Sequence, residues 1–359
     1  MPNLHRPFRA CLAGSPATRC ISQRKEFPGD VPAGDFAERQ VTKGRFCYNV
    51  RMLAASLLFC ALAFAESKTL ALQVHLDRAG FSCSAIDGVW GPKAEGALRA
   101  FIRSRAPDAP PLTPAQAYDR YFARSPAPFR IEVVTQEDLD ALVKIPDDPA
   151  ARAKLTRMGY ESIREMFAER GHLSQVALAK MNPGVDWSSV RPGLRLVIPD
   201  FPPIEDELKA AERGRPRRPT RPEAALVRVS LSSRTITALD ANGRAIAHFP
   251  CSIAADKAKV PPHGELKVTS AVPWPNYTYT PDVTPRGKRV RRHVWPSGEN
   301  CPVGVAWLGL NLPGYGIHGT PRPESIGFTG SHGCFRLANW NAARLFALCR
   351  PGTRVVVAP

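Results

Sequence analysis

The sequence predicts a multidomain chain in which a small all-α domain and an α+β segment precede a mainly-β C-terminal domain. Three observations carry this. The chain has 359 residues, more than one core usually holds when domains run to about 150 residues. Apolar residues change from helical spacing to strict alternation near residue 225. Proline-rich stretches at 106–128 and 201–224 fall between the periodic segments, and the total of 36 prolines is about twice the usual share.

Hydrophobic residues at 44% and charged residues at 23% are ordinary for a globular protein, which disfavours wholesale disorder and a polytopic membrane protein. Lys+Arg number 49 against 32 Asp+Glu, a net charge of +17 that points to an anionic partner.

Residues 1–65 read as a leader. The uncharged apolar run of 13 residues from Leu53 to Ala65 is too short to span a bilayer but suits a signal-peptide core. It ends in Ala63-Phe64-Ala65, so cleavage is expected before Glu66, with Met52 an alternative start. The bulky Phe59 before Cys60 argues against a lipoprotein signal. Removing this region takes away nine basic and four acidic residues and leaves 40 against 28, a charge of +12. The expectation is an exported protein, in the periplasm or cell wall, with no membrane span after cleavage and no nucleic-acid partner.

Residues 66–105 show two helical patterns. Leu72, Leu76 and Ala79 form one face, and Ala94, Ala97, Leu98, Phe101 and Ile102 the other. Between them Ile86-Asp87-Gly88-Val89-Trp90-Gly91-Pro92 is a turn, with Pro92 suited to a helix start. Residues 106–128 read as a linker in which Tyr118, Tyr121 and Phe122 could pack locally. Residues 129–200 carry a helix after Tyr160, another from Ser174 to Lys180, a turn at Asn182-Pro183-Gly184 and a strand from Leu194 to Ile198. Residues 201–224 read as a basic linker, including Arg213-Gly214-Arg215-Pro216-Arg217-Arg218-Pro219.

From residue 225 to 359 the pattern is that of strands. Val227, Val229 and Leu231 alternate with Arg228, Ser230 and Ser232, and Asn242-Gly243 marks a hairpin. Further strands are expected at 245–252, 266–270 and 354–357, with one helix at 338–348 whose face is Ala342, Leu345, Phe346 and Cys349.

After the leader five cysteines remain, Cys83, Cys251, Cys301, Cys334 and Cys349, an odd number that leaves at least one thiol unpaired even under oxidising conditions. Two clusters give Cys334 a chemical context: Ile317-His318-Gly319-Thr320 and Ser331-His332-Gly333-Cys334-Phe335-Arg336-Leu337, with His318 sixteen residues before Cys334. A thiol of ordinary pKa is mostly protonated at neutral pH, so a nearby imidazole is what makes it a nucleophile. No acid lies in either cluster, so a backbone carbonyl, such as that of Gly319, is expected to hold the other imidazole nitrogen. Gly333 and Cys334 are expected just before a helix, where free amides favour the thiolate and form an oxyanion hole. A disulfide at Cys334 or a zinc site of His318, His332 and Cys334 are the alternatives, and the spacing matches no usual zinc pattern.

These clusters, with Pro262-His263-Gly264-Glu265-Leu266 and Gly304-Val305-Ala306-Trp307-Leu308-Gly309-Leu310 leading into Gly314-Tyr315-Gly316, resemble the L,D-transpeptidase catalytic domain of the YkuD type over about residues 225–357. The resemblance implies a β-sandwich fold and no cofactor or metal. It implies Cys334 as nucleophile, His318 as base and then acid, and Gly333 with Cys334 as oxyanion donors. His332 would share proton transfer or support the turn. Ser331, Gly319, Thr320 and Arg336 would shape the substrate site. Phe335, Phe328 and Cys301 depart from the residues common in the family. Residues 66–105 resemble the helical peptidoglycan-binding domain of cell-wall hydrolases. Met166-Phe167-Ala168, Val176-Ala177-Leu178, Asn182-Pro183-Gly184 and 191–199 resemble a LysM glycan-binding repeat lacking a recognisable first strand. Together these imply peptidoglycan stem peptides and glycan strands as partners, with another stem, a wall-anchored protein or water as acyl acceptor.

Overall fold

The computed structural model describes residues 67–212, 223–256, 259–260, 263–281, 292–328, 330 and 333–359. The leader, the basic run at 213–219, most of the arginine-rich loop at 286–292, Pro262, and the site candidates Ser331 and His332 lie outside the described residues.

Helices α1 (Lys68–Arg78) and α2 (Pro92–Arg105) form the expected pair, with Ser67 capping the first and Pro92 in the first turn of the second. Leu72 and Leu76 pack on Ala97, Leu98, Phe101 and Ile102. The Gln73 amide fixes the turn, donating to the Asp87 carboxylate (3.2 Å) and the Val89 carbonyl (2.9 Å) and accepting from the Gly88 N–H (2.8 Å).

The stretch expected to be a linker is not one: residues 106–128 fold back as α3 (Pro114–Tyr121). Thr113 and Gln116 make a reciprocal capping box, and Ala117 and Phe122 bury in the α1–α2 core, where Phe122 stacks on His75. The prolines set the start of this helix, and its aromatic residues supply enough apolar area to hold it down.

In the middle segment β1 (Phe129–Val133) pairs antiparallel with β2 (Arg195–Pro199). Between them run α4 (Gln136–Asp140), α5 (Pro149–Arg152), α6 (Ile163–Arg170) and α7 (Gln175–Met181). Strand β1 escaped the sequence reading because it is short and half-solvated, with Ile131 56% and Val133 46% exposed. The next stretch is also part helix: α8 (Ile204–Glu212) opens with Glu205, Asp206 and Glu207, which complement its dipole, and buries Leu208.

The C-terminal strands are β3 (Leu226–Ser230), β4 (Thr235–Leu239), β5 (Ala245–Pro250), β6 (Gly264–Pro273), β7 (Tyr277–Tyr279), β8 (His293–Trp295), β9 (Ala306–Leu310), β10 (Gly316–His318), β11 (Phe335–Arg336) and β12 (Arg354–Ala358), with α9 (Asn339–Leu348) before the last. Val227 and Val229 lie opposite Val355 and Val357 across the parallel β3–β12 pair, all four buried. Among the described residues the expected sandwich takes the form of a large curled sheet of eight strands, ordered β11-β10-β9-β6-β12-β3-β4-β5, with β7 and β8 paired separately. Strand β6 is ten residues long and shifts register between Val268 and Ser270, so it belongs to both halves and lets the sheet curl. The curl brings the two edges together: Ser252, just after β5, and Arg336 of β11 exchange backbone hydrogen bonds of 3.0 Å each way.

The preceding segments are packed onto this sheet. Ser82 N–H donates to the His248 carbonyl and His248 N–H to that of Gly80, both 2.9 Å, which adds residue 81 to the β5 edge. At the junction of all three parts Asp77 of α1 is fully buried, with His172 Nδ1 2.9 Å from its Oδ1 and Arg344 of α9 bonded to its backbone carbonyl. The His172 ring lies stacked on Phe201 (3.8 Å between centroids) and Trp340 (4.8 Å).

Candidate active site

Strands β10 and β11 run parallel, with Ile317 level with Phe335 and His318 with Arg336. Ile317 and Phe335 point into the core. Alternation therefore puts Cys334 and His318 together on the opposite face, two residues apart along the ladder, roughly 7 Å. Cys334 is only partly buried, whereas the other four described cysteines are buried.

His318 is 7% exposed, stacked on Trp307, its neighbour across the β9–β10 pair (5.5 Å between centroids). Its Nδ1 lies 2.7 Å from the Gly319 carbonyl, the partner the sequence predicts. A carbonyl can only accept, so Nδ1 carries the proton and Nε2 keeps its lone pair. Burial pushes the imidazole pKa down to about 4, against the pull of the Gly319 carbonyl and with help from the Arg336 charge.

Burial raises the Cys334 thiol above its ordinary value, although the Gly316 amide partly favours the anion. The helix expected immediately after Cys334 is displaced: β11 intervenes and α9 begins only at Asn339. Burial of both groups favours a neutral thiol and a neutral imidazole, and the thiol donates to the Gly314 carbonyl (3.5 Å).

Gly333 has φ of +152°, a conformation that disfavours any side chain, and a Cβ there would also come within 3.2 Å of the Tyr315 ring. Arg336 Nη2 donates to the Gly330 carbonyl (2.7 Å), so it braces the loop preceding the nucleophile. Thr320 is buried and its hydroxyl accepts from the Arg322 N–H (3.3 Å). No cluster of metal-ligating side chains occurs among the described residues.

The support beneath this face was not visible in the motifs. Gly304 and Gly319 approach so closely that a Cβ on either would overlap the Asn339 side chain. Gly304 also has φ of +61°. Gly304→Ala is therefore expected to cost at least about 2 kcal/mol and to lower the thermal midpoint by several degrees. A midpoint within 1 °C of wild type, roughly, would show that the close approach is not needed.

Asn339 Nδ2 donates to both oxygens of Glu169 on α6 (3.1 and 3.3 Å) and to the Glu299 carbonyl (3.0 Å). Burial pushes the Glu169 carboxyl well up, and the Glu299 and Glu165 charges add to this despite the Asn339 bond. A carboxyl whose folded pKa is raised keeps its proton while the unfolded chain ionises, so stability falls as pH rises above the ordinary Glu value. Glu169→Gln is expected to raise the urea midpoint at pH 8 and to change it little at pH 4. An equal effect at both pH values would contradict a protonated Glu169. A polar residue at the start of a helix, Asn339, was the only sequence signal for this network.

Residues 224–357 match the YkuD family, the L,D-transpeptidase catalytic domain. The candidate L,D-transpeptidase YkuD of Bacillus licheniformis is 28% identical over 197 residues, covering 54% of this chain and 93% of the relative. The protein of the same name in Bacillus subtilis is 30% identical over 36% of this chain and 64% of its own length. A candidate L,D-transpeptidase of Fuscovulum blasticum is 35% identical over 35% of this chain and 65% of its own. The chain thus spans less than two thirds of the last two. L,D-transpeptidase 3 of Mycobacterium tuberculosis aligns at 18% identity and a TM-score of 0.31, over 38% of this chain and 61% of that one. The curled sheet and the strands that carry His318 and Cys334 lie within residues 224–357, the region similar to the L,D-transpeptidase catalytic domain of the YkuD family.

Proposed function

We propose that the chain is an exported peptidoglycan L,D-transpeptidase that works through a thioester on Cys334. One observation carries this reading: Cys334 and a neutral, carbonyl-oriented His318 share one face of the β10–β11 ladder inside the matched domain. His318 Nε2 takes the thiol proton as sulfur attacks the carbonyl of the L-centre of the third stem residue. The Gly333 and Cys334 amides receive the developing oxyanion. The imidazolium then protonates the leaving amine, releasing D-alanine and leaving the thioester. An amine from a second stem attacks, His318 takes its proton, and the thiol is restored as the cross-link forms. The helical unit at 66–105 and the unit at 129–200, four helices between the paired strands β1 and β2, would hold the wall polymer beside the site, in line with their resemblance to peptidoglycan-binding and LysM modules.

Intact-mass measurement with a disaccharide-tetrapeptide tests the reading. A tripeptide adduct on the wild type with dimers accumulating is the expected result. An adduct with free tripeptide alone would make water the acceptor, and no adduct on folded protein would leave a wall-binding protein. Because protonating His318 removes the base, kcat/KM is expected to fall only as pH drops through about 4, well below an unperturbed histidine. An acid limb near pH 6.5 would place His318 in a wetter setting than the one described.

A further inference from the structure

A one-sided charge lies away from the thiol, in a groove of about 960 Å³ between α2 and the outward face of β3, β4 and β5. Arg99, Arg103 and Arg105 stand on the helix wall, and Arg228 and Arg244 on the strand wall. No described residue lining the groove is acidic. The two carboxylates that approach its arginines, Glu95 on Arg99 (2.6 Å) and Asp240 on Arg244 (3.3 Å), sit outside the lining, and both pairs are local contacts four residues apart. Arg103 and Arg228 have no ion pair among the described residues. The Arg105 guanidinium lies over the Phe101 ring at 3.7 Å.

The groove is built by the fold. Register places Arg228, Thr237 and His248 in one row across three strands, outward because Val227 and Val229 point in. The Thr237 hydroxyl lies 2.9 Å from His248 Nδ1, and Gly96 of α2 faces that ring, where a Cβ would make an ordinary contact with Nε2 at 4.0 Å. Ser104, Ser233, Thr235 and Asn242 add hydroxyl and amide groups to the lining. A second cleft of about 710 Å³ offers no such excess, because its Arg130, Arg157 and Arg170 are each paired with carboxylates, namely Glu132, Glu299 and Asp138.

We propose that this groove binds a linear polyanion whose carboxylate or phosphate groups are carried on a hydroxyl-rich sugar or polyol backbone. Guanidinium groups on two facing walls can clamp oxyanions along a strand-shaped ligand. A planar membrane would reach only the rims. The lining holds no aromatic ring besides the His248 imidazole, so it lacks the stacking platform that a single-stranded nucleic acid uses. The site contains neither Cys334 nor His318, so it is independent of the acyl-transfer reading.

Calorimetric or optical binding of the full chain to polygalacturonate, at low and at physiological salt, tests the assignment. Affinity is expected to fall steeply with salt. The Arg99→Gln/Arg103→Gln/Arg228→Gln variant is expected to bind at least about tenfold more weakly. Arg124→Gln/Lys144→Gln/Lys154→Gln removes the same charge from exposed positions outside the groove and is expected to stay within about twofold. Inorganic polyphosphate separates the two oxyanions: tighter binding, lost in the same groove variant, would assign phosphate esters. Equal weakening in both triple variants, equal binding of neutral dextran, or retention by anionic vesicles when neither polymer binds would each overturn the proposal.

Discussion

Cys334→Ala is expected to reduce acyl transfer from a disaccharide-tetrapeptide by at least about 10⁴-fold and to leave no mass adduct. The partly exposed sulfur shares the β10–β11 ladder with His318, and the other described thiols are buried. Burial raises Cys251 to about 12 and Cys301 to about 11, so neither can substitute as a nucleophile near neutrality. His318→Gln keeps an N–H able to bond the Gly319 carbonyl but has no basic nitrogen to accept the thiol proton, and a loss of about 10²–10⁴-fold in kcat is expected. The two residues act as a unit, so the double variant is expected to be no slower than Cys334→Ala alone. Turnover in Cys334→Ala within tenfold of wild type would remove the thioester from the scheme. Multiplying losses in the double variant would show that His318 serves some other step.

Asp77→Ala is expected to lower stability by about 3–5 kcal/mol, read as a fall in the urea midpoint. Burial alone would raise this carboxyl, but His172 and Arg344 outweigh it and hold the group below its ordinary value. Its contribution is therefore present above the ordinary Asp pKa and lost as pH falls through the depressed one. Alanine leaves His172 wedged against Phe201 and Trp340 without its anion, and strips Arg344 of a charge 3.9 Å away. A loss under about 1 kcal/mol would mean that the three parts of the chain meet there without depending on one another energetically.

Much of the candidate site's geometry was legible in the sequence because it resides in neighbours along the chain. The imidazole's carbonyl partner is the next residue, Gly319, and the register that aligns Cys334 follows from two short alternating segments. Helices α1, α2, α6, α7 and α9 were legible through periodicity, and the β4–β5 hairpin through Asn242-Gly243, where Gly243 has φ of +76°. The failures share one cause, contacts between residues far apart in sequence. Proline content suggested a tether at 106–128, but the aromatics of α3 found a core built 40 residues earlier, roughly. Strand β1 needed β2, about 65 residues away, to exist. Glu169 reaches Asn339 across 170 residues, a partnership that no local pattern encodes.

The seam between Ser252 and Arg336 sets how the nucleophile's loop can breathe. Strand β11 is two residues long, yet one side is tied to β10 and the other to Ser252. Leu337 N–H also donates to the His318 carbonyl at 2.8 Å, immediately past the strand. A segment held on both sides has no free edge from which to peel, so its amide protons should exchange with solvent on the timescale of the surrounding sheet rather than of a surface loop. Slow deuterium uptake at Arg336 and Leu337 would then accompany catalysis on a frame that need not reorder when substrate arrives, and motion during turnover would fall to the substrate and its acceptor.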